Sequence, residues 1–424
     1  MSTLLGTYLL VIGFLLITSV YLDRVGNRLQ LPGVLLVLLL GLLTHNEVHV
    51  GGQTPPLLSL AQASDLAQVA VGVVLFQAGI STNWQQMRSV ARPGLRLALL
   101  GSTLTALLLM VVLQKLPFEF FSISHPSWAM TLFVGAMVCS TDASAVISVL
   151  RPQAGQFPQR LLDLLEFESS VNDPIAVVLA SVGLTIGMTA LQSTAAVDPA
   201  AQLMGEGPLI ANAVLRQLLI GALIGFMVGS LVARMLETQT EVIEAGHRDR
   251  LAVLILAMLL VVLGITSLGG GSPLLAAYIT GLLIGNGEDH AAVELQVSLG
   301  SYGKLAELVL FLSMGLVVDP LQVLVLLPWI VLLAVLMLLV RFVVVFLLLG
   351  KSFTTAQKQF VGFCGLRGAV PIALAIQAAA HPEIGQVWGQ WMPPIALGVV
   401  LLGLLAQGLS LMPLARHLGL VEQG

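Results

Sequence analysis

The sequence predicts an all-α integral membrane protein of about thirteen transmembrane helices, arranged as two inverted six-helix repeats with crossed discontinuous helices. Three observations lead to this prediction: the composition, the charge of the loops and two matched helix breaks. Of the 424 residues, 57% are apolar and only 9% are charged, and the mean hydropathy is +0.98. Soluble domains carry roughly 25% charged residues, so this composition excludes a soluble fold.

Thirteen apolar runs lie between polar or Gly/Pro breaks. A span needs roughly 20 residues to cross a bilayer, and a broken or paired helix needs fewer. The first run lacks a basic leading region, which favours a retained helix over a cleaved signal. The runs occupy 3–22, 31–44, 57–80, 93–113, 127–150, 160–190, 208–234, 250–268, 272–286, 299–318, 321–349, 357–380 and 391–414.

The charge of the loops predicts the orientation, because Lys and Arg favour the cytoplasmic side. With the N-terminus outside and the C-terminus inside, only Lys115 lies outside, and Arg216, Arg341 and Arg367 fall within spans. The other fourteen lie on the inner side: Arg24, Arg28, Arg88, Arg92, Arg96, Arg151, Arg160, Arg234, Arg248, Arg250, Lys304, Lys351, Lys358 and Arg416. We expect residues 1–424 to form one membrane unit without a soluble regulatory domain.

The composition gives little sign of other ligands. The net charge is −4, and no basic run or aromatic–basic interleaving predicts nucleic-acid binding. Two isolated cysteines, Cys139 and Cys364, favour neither a disulfide framework nor a zinc site. We therefore expect no cofactor, no nucleic acid, and membrane lipids as the surroundings.

The fifth and twelfth spans carry the third observation. Two six-helix units of opposite topology, spans 1–6 and 8–13, would match Cys139–Ser144 with Cys364–Pro371, each with a charge three positions after its cysteine. An interrupted helix exposes unpaired N–H groups at one end and carbonyls at the other. We expect Asp142 to neutralise the N-terminal ends and Arg367 the C-terminal ends. The alternative is that glycine and proline merely kink packed helices.

The sixth span carries acids at membrane depth. A charge at the bilayer centre costs about 2.5 kcal/mol or more, so such residues usually have a function. Residues four apart share a helix face, which groups Ser169 with Asp173 and Glu168 with Asn172.

These two faces predict different roles. Ser169 and Asp173, with carbonyl oxygen from the break at Thr141, offer the oxygen ligands that hard monovalent cations prefer. Glu168 is expected to pair with Arg367 and to remain charged. Asp173, left without a fixed cation, would exchange protons for metal cations.

Two further acids are candidates for the path to this site. Glu307 lies in the apolar run Leu305–Leu316 and could line the ion path or only steady the bundle. Glu166 lies close to the cytoplasmic end of the sixth span. It could form an acidic entrance, or its side chain could simply reach the interface.

These motifs resemble those of bacterial monovalent cation:proton antiporters of the Asn-Asp type, a branch that includes the eukaryotic sodium/proton exchangers. The resemblance covers essentially the whole membrane part. It is carried by Ser140–Val146, Glu168–Pro174, Ala277–Asn286 and Gly365–Pro371. The sequences of these motifs are most similar to those of bacterial potassium/proton members.

The resemblance implies a homodimer in the bacterial cytoplasmic membrane. Core helices, about 93–190 and 321–414, would move like an elevator against a dimerisation scaffold built from the remaining spans.

For the site, the resemblance implies Asp173 as the shared proton and cation carboxylate, with Asn172 beside it and Thr141 and Ser169 as further ligands. A single titrating acid suggests electroneutral one-for-one exchange of Na⁺, K⁺ or Li⁺ for H⁺.

Two other function classes compete with this prediction. Broken helices and buried acids also build pores, so a cation channel or a passive subunit of a larger complex is the alternative. An intramembrane enzyme fits poorly, because no histidine reaches the predicted core to form a Ser-His or His-Glu-x-x-His arrangement. The sequence does not distinguish Na⁺ from K⁺.

Overall fold

The computed structural model of the chain describes residues 3–29, 31–44, 46–47, 54–116, 126–150, 157–192, 199–237, 248–287, 291–389 and 391–421. These residues are almost entirely helical. Within the described ranges the only strand-like pairing is an isolated bridge between Glu47 and Pro56. A helix satisfies its backbone hydrogen bonds internally, as lipid surroundings require.

The helices follow the apolar runs of the sequence, and short polar or Gly/Pro segments separate them. A turn of 3₁₀ helix, Gln86–Ser89, precedes the fourth helix. The helices are α1 Thr3–Arg28, α2 Gly33–Leu43, α3 Leu60–Ser81, α4 Ala91–Gln114, α5 Trp128–Cys139, α6 Ala143–Leu150, α7 Gln159–Gln192, α8 Pro199–Glu237, α9 Arg248–Leu268, α10 Pro273–Gly285, α11 Ala291–Val317, α12 Pro320–Leu348, α13 Thr355–Phe363, α14 Ala369–Ala380, α15 Ile384–Trp388 and α16 Met392–His417.

Ten helical stretches among the described residues are long and apolar enough to cross a membrane. The chain is therefore a multi-pass, all-helical membrane protein. Helices α2, α10 and α14 are apolar but shorter, so thirteen separate spans remain a prediction.

Several helices extend beyond the predicted apolar runs. Helix α1 continues to Arg28 and α11 begins at Ala291. Most of the basic residues predicted to lie in cytoplasmic loops, among them Arg24, Arg92 and Lys304, are therefore inside helices, and for these residues the assignment to a loop was wrong. Long basic side chains can reach a polar region from within a helix, so a boundary drawn at the first charge falls short.

Helices α3, α8, α10 and α11 form one closely packed group. Small residues bring the backbones into contact: a Cβ added to Gly225 of α8 would lie 2.7 Å from the Ala276 carbonyl oxygen, and one on Gly79 of α3 would lie 2.7 Å from the Leu282 amide nitrogen. Such contacts allow close helix packing without a hydrophobic driving force in lipid. The helices of this group therefore pack with their backbones close together.

Helices α4, α5, α7, α12, α13, α14 and α16 form the second group. Within it α5 packs between α4 and α7, and α12 lies against α13 and α16. The two groups meet where α14 contacts α3 and α7 contacts α8. The candidate site lies at this boundary.

Candidate functional site

Two interrupted helices meet inside the second group. Ser140–Asp142 separate α5 from α6, and residues 364–368 separate α13 from α14. The Asp142 N–H donates to the Leu366 carbonyl oxygen at 2.8 Å. Gly368 packs directly against the Asp142 carboxyl group, where a side chain would overlap it. The structure therefore brings the two predicted breaks together, backbone to backbone.

The first break, residues 140–142, is capped by its own acid. Asp142 Oδ1 accepts hydrogen bonds from the Ser144 N–H at 2.8 Å, the Ser144 hydroxyl at 2.6 Å and the Ala145 N–H at 3.2 Å. The two N–H groups belong to the first turn of α6, which would otherwise leave them unpaired. Asp142 thus caps the half-helix end at which the sequence analysis placed it.

Helix α7 holds the same break from the other side. The Ser169 hydroxyl donates to the Thr141 carbonyl oxygen at 2.7 Å and accepts from the Ala143 N–H at 3.0 Å. The Asn172 amide donates to Thr141 Oγ1 at 2.7 Å and accepts from the Thr141 N–H at 3.3 Å. The Thr141 carbonyl and the Ser169 hydroxyl each keep one oxygen lone pair for another partner.

Glu168 forms a buried, bidentate ion pair with Arg341 of α12. Arg341 Nη1 donates to Glu168 Oε1 at 2.7 Å and Nη2 to Oε2 at 3.0 Å. The side chains are 1% and 7% exposed. The prediction that Glu168 pairs with Arg367 was wrong. Arg341 was predicted to lie in a span and had no predicted partner, although a lone arginine in an apolar run requires one.

The second break, residues 364–368, is served by long side chains. Arg367 donates to the Gly365 carbonyl, and Arg341 Nη2 donates to the Val361 carbonyl at 3.4 Å. Gln407, which ends a π-helical turn in α16, donates to the Phe363 carbonyl at 3.1 Å. Three cationic or amide donors therefore satisfy carbonyls at the C-terminal end of α13 and in the break.

Arg367 lies where the sequence analysis placed it, but with a different partner. It is 1% exposed, and among the residues that the structure describes it makes no ion pair with a carboxylate. Its charge faces the carbonyl dipoles of the break, as a helix C-terminus favours.

A cavity of about 590 Å³ lies beside the first break, between the two helix groups. Asp173, Ser140 and Ser169 form one wall, and the Ser140 side chain is within hydrogen-bonding reach of Asp173. Gln77 of α3 and Glu307 of α11 line the side that the first helix group contributes, which we call the opposite wall. The half-buried Asp173 carboxylate thus lies in one cavity with polar side chains of both helix groups.

The four predicted ligands differ in their relation to the cavity. Asp173 and Ser169 line it, whereas Thr141 and Asn172 are not among its lining residues. Ser140, cited in the sequence only as part of a break, lies on the cavity surface. Its position follows from the local path of the interrupted backbone, which the sequence pattern did not reveal.

Both predicted path residues, Glu166 and Glu307, line the same cavity. Lys304 lies between two acids there: its Nζ is 2.8 Å from Asp23 Oδ1 and 3.1 Å from Glu307 Oε2. This cluster was not predicted, because Lys304 was assigned to a loop.

The cavity extends toward one membrane side. Its lining includes Ser81, the last residue of α3, and Ser148, near the end of α6. These ends continue into segments that contain Arg88, Arg92 and Arg151. This is the side that the distribution of basic residues predicts to be cytoplasmic.

Charged residues in interrupted helices at the boundary of two helix groups are typical of one class of protein, the multi-pass secondary transporters. The comparison of families specifies it further. The chain belongs to the family described as sodium/hydrogen exchanger, transmembrane, whose profile matches residues 13–417.

Curated relatives and solved structures agree with this assignment. The chain is 29% identical over 420 residues to the K(+)/H(+) antiporter NhaP of Alkalimonas amylolytica, and 30% identical over 416 residues to the K(+)/H(+) antiporter NhaP2 of Shewanella sp. (strain ANA-3). Each alignment covers 97% of this chain and 67% of the relative. The sodium proton antiporter MjNhaP1 from Methanocaldococcus jannaschii shares the fold, with a TM-score of 0.72, 20% identity and 98% coverage of both chains.

Proposed function

We propose that the protein is a secondary active antiporter that exchanges a monovalent cation, Na⁺ or K⁺, for H⁺. The observation that carries this proposal is the half-buried Asp173 on the wall of a polar cavity, beside two helix breaks. A single carboxylate can hold a proton or an alkali cation but not both. Alternating occupancy therefore couples the two fluxes, and the potassium/proton and sodium/proton relatives support this reading.

Oxygen atoms around Asp173 would complete the cation site. We assign the Ser169 hydroxyl and the Thr141 carbonyl as ligands, because each keeps a lone pair after its observed hydrogen bonds. Ser140 is close enough to take part. Asn172 acts by holding the Thr141 peptide.

The other charges would stay fixed through the cycle. Glu168 is neutralised by Arg341 and does not face the cavity, so it does not compete for the cation. Asp142 and Arg367 compensate the ends of the interrupted helices. With one carboxylate changing its load in each cycle, the exchange would be electroneutral, one for one.

The architecture supports an alternating-access cycle. We infer thirteen spans in two inverted six-helix repeats, with the core helices, about 93–190 and 321–414, moving against the remaining scaffold. The glycine-mediated contacts among α3, α8 and α10 suit a rigid scaffold. With the N-terminus outside a bacterial inner membrane, the described cavity would face the cytoplasm, and a homodimer would anchor the scaffold.

Flux in proteoliposomes tests the proposal. Purified protein is reconstituted with an acidic lumen and a pH-sensitive dye, and Na⁺, K⁺, Li⁺ or choline is added outside. We expect an alkali cation, but not choline, to raise the luminal pH, at a rate that an imposed membrane potential leaves unchanged. A cation current that follows the potential without proton counterflow would identify a channel instead. No cation-dependent pH change would contradict antiport.

A further inference from the structure

The cavity beside Asp173 has an unequal set of charges. Lys304 is the only basic side chain among the described residues that line it, against five acids. The acids are Asp23, Asp142, Glu166, Asp173 and Glu307. A cation that enters from this side therefore meets a strongly negative environment with one positive group in it.

Lys304 is fixed on the wall opposite Asp173. Its ammonium group bridges Asp23 of α1 and Glu307 of α11 at 2.8 and 3.1 Å. The Lys304 side chain remains 41% exposed, whereas Asp23 and Glu307 are 14% and 21% exposed. The three residues, which we name the wall triad, together carry one negative charge.

The other ionisable groups near Asp173 do not share the position of the wall triad. The Asp142 carboxyl group already accepts three hydrogen bonds, and Glu166 lies on the same helix as Asp173. Cys139 and Tyr278 are also close enough to Asp173 to interact electrostatically. None of these groups stands across the cavity on α1 or α11, as the wall triad does.

We propose that Lys304 sets the cation affinity of the exchange site by keeping the wall opposite Asp173 at one negative charge instead of two. The inference rests on the proposed antiport at Asp173. Without the ammonium group, Asp23 and Glu307 would present two unpaired carboxylates to the arriving cation. Those carboxylates would strengthen binding in the cavity and delay release.

Removing the charge should move affinity and pH dependence together. A unit charge at a separation on the order of 10 Å, with an effective dielectric constant of about 40, changes cation binding about four-fold. For Lys304→Met we therefore expect KM for Na⁺ or K⁺ at alkaline pH to fall about four-fold. Protons are held more tightly as well, so the pH of half-maximal exchange should rise by about 0.6 unit, and kcat should fall.

Matched variants separate this effect from a structural one. Glu307→Gln removes a negative charge and should shift KM and pH dependence the opposite way. The double variant Lys304→Met/Glu307→Gln restores the net charge of the wall triad and should return both values toward wild type. Lys304→Arg keeps the charge and should shift neither by more than about two-fold. Lys351→Met, an exposed lysine outside the cavity, controls for loss of a charge elsewhere.

Initial rates of cation-dependent proton flux across pH and cation concentration decide the matter. If the ion pairs only tied α1 to α11, the double variant would be at least as impaired as Lys304→Met, and the pH profile would stay in place. That result, or an unchanged KM in both single variants, would overturn the inference while antiport stands. If Lys304→Met fails to fold, Glu307→Gln alone must show its shift. If the wild type lacks cation-dependent flux, the proposed function fails, and the inference with it.

Discussion

The two helix breaks satisfy their unpaired backbone groups with different kinds of side chain. At residues 140–142 the unpaired groups are satisfied by short side chains, from Asp142 within the break and from Ser169 and Asn172 of α7. At residues 364–368 long donors do this work, and two of them, Arg341 and Gln407, come from other helices.

The two breaks also differ in their contact with the cavity. Ser140 and Asp142 of the first break line it, whereas of residues 364–368 only Gly368 does. The short side chains at the first break leave oxygen lone pairs unused beside the cavity. The long donors at the second break occupy the lone pairs of its carbonyls. The difference supports the proposal that the first break takes part in ion binding and that the second mainly stabilises the core.

The largest effect on stability is expected at the ion pair that anchors the second break. Glu168→Gln leaves Arg341 buried and unpaired, which costs about 3–5 kcal/mol. Thermal unfolding in detergent, followed by loss of the monodisperse peak, should show a clearly lowered apparent Tm. Glu166→Gln, a change of the same kind at a half-buried acid, should have little effect.

A double variant sharpens this prediction. Glu168→Gln combined with Arg341→Met removes both charges and should recover much of the lost stability. Equal stability of Glu168→Gln and the wild type would contradict a structural role for the pair.

A substitution in the first break should lower stability by a smaller amount. Asp142→Ala removes the cap of α6 and should cost about 1–2 kcal/mol, whereas Asp142→Asn keeps an acceptor and should cost only a few tenths. Asp319→Ala is the matched control, since Asp319 caps α12, an uninterrupted helix. We expect a similar loss of apparent Tm in the two alanine variants, but reduced exchange only at position 142. Impaired exchange in Asp319→Ala would show that capping alone matters.

The smallest effect is expected at the far end of the second break. Gln407→Leu removes one hydrogen bond to the Phe363 carbonyl and should change the free energy of unfolding by about 1 kcal/mol or less. Cation-dependent proton flux should persist. Gln386→Leu removes a comparable bond to the Pro382 carbonyl at an exposed site and should change neither quantity. Abolished flux in Gln407→Leu would place the second break in the ion path.

The sequence predicted the features that the membrane makes costly to change. Apolar runs located the helices, and charges in matched breaks located the point where the breaks meet, because both are local patterns of one helix. The partner of Glu168 was mistaken, since it depends on how α12 is rotated against α7. Lys304 was misplaced because its helix continues through polar residues. Gln407 gave no signal, because a π-helical turn that directs an amide to another helix has no clear local pattern.

The most direct measurement compares Asp173→Asn with wild type in proteoliposomes. With Na⁺ or K⁺ supplied at pH values from 6 to 9, we expect the variant to show no proton flux above that of empty vesicles, although its apparent Tm stays near wild type. Asp65→Asn, which changes an exposed acid of α3, should retain flux. Cation-dependent proton exchange by folded Asp173→Asn would contradict the assignment of this carboxylate as the shared carrier.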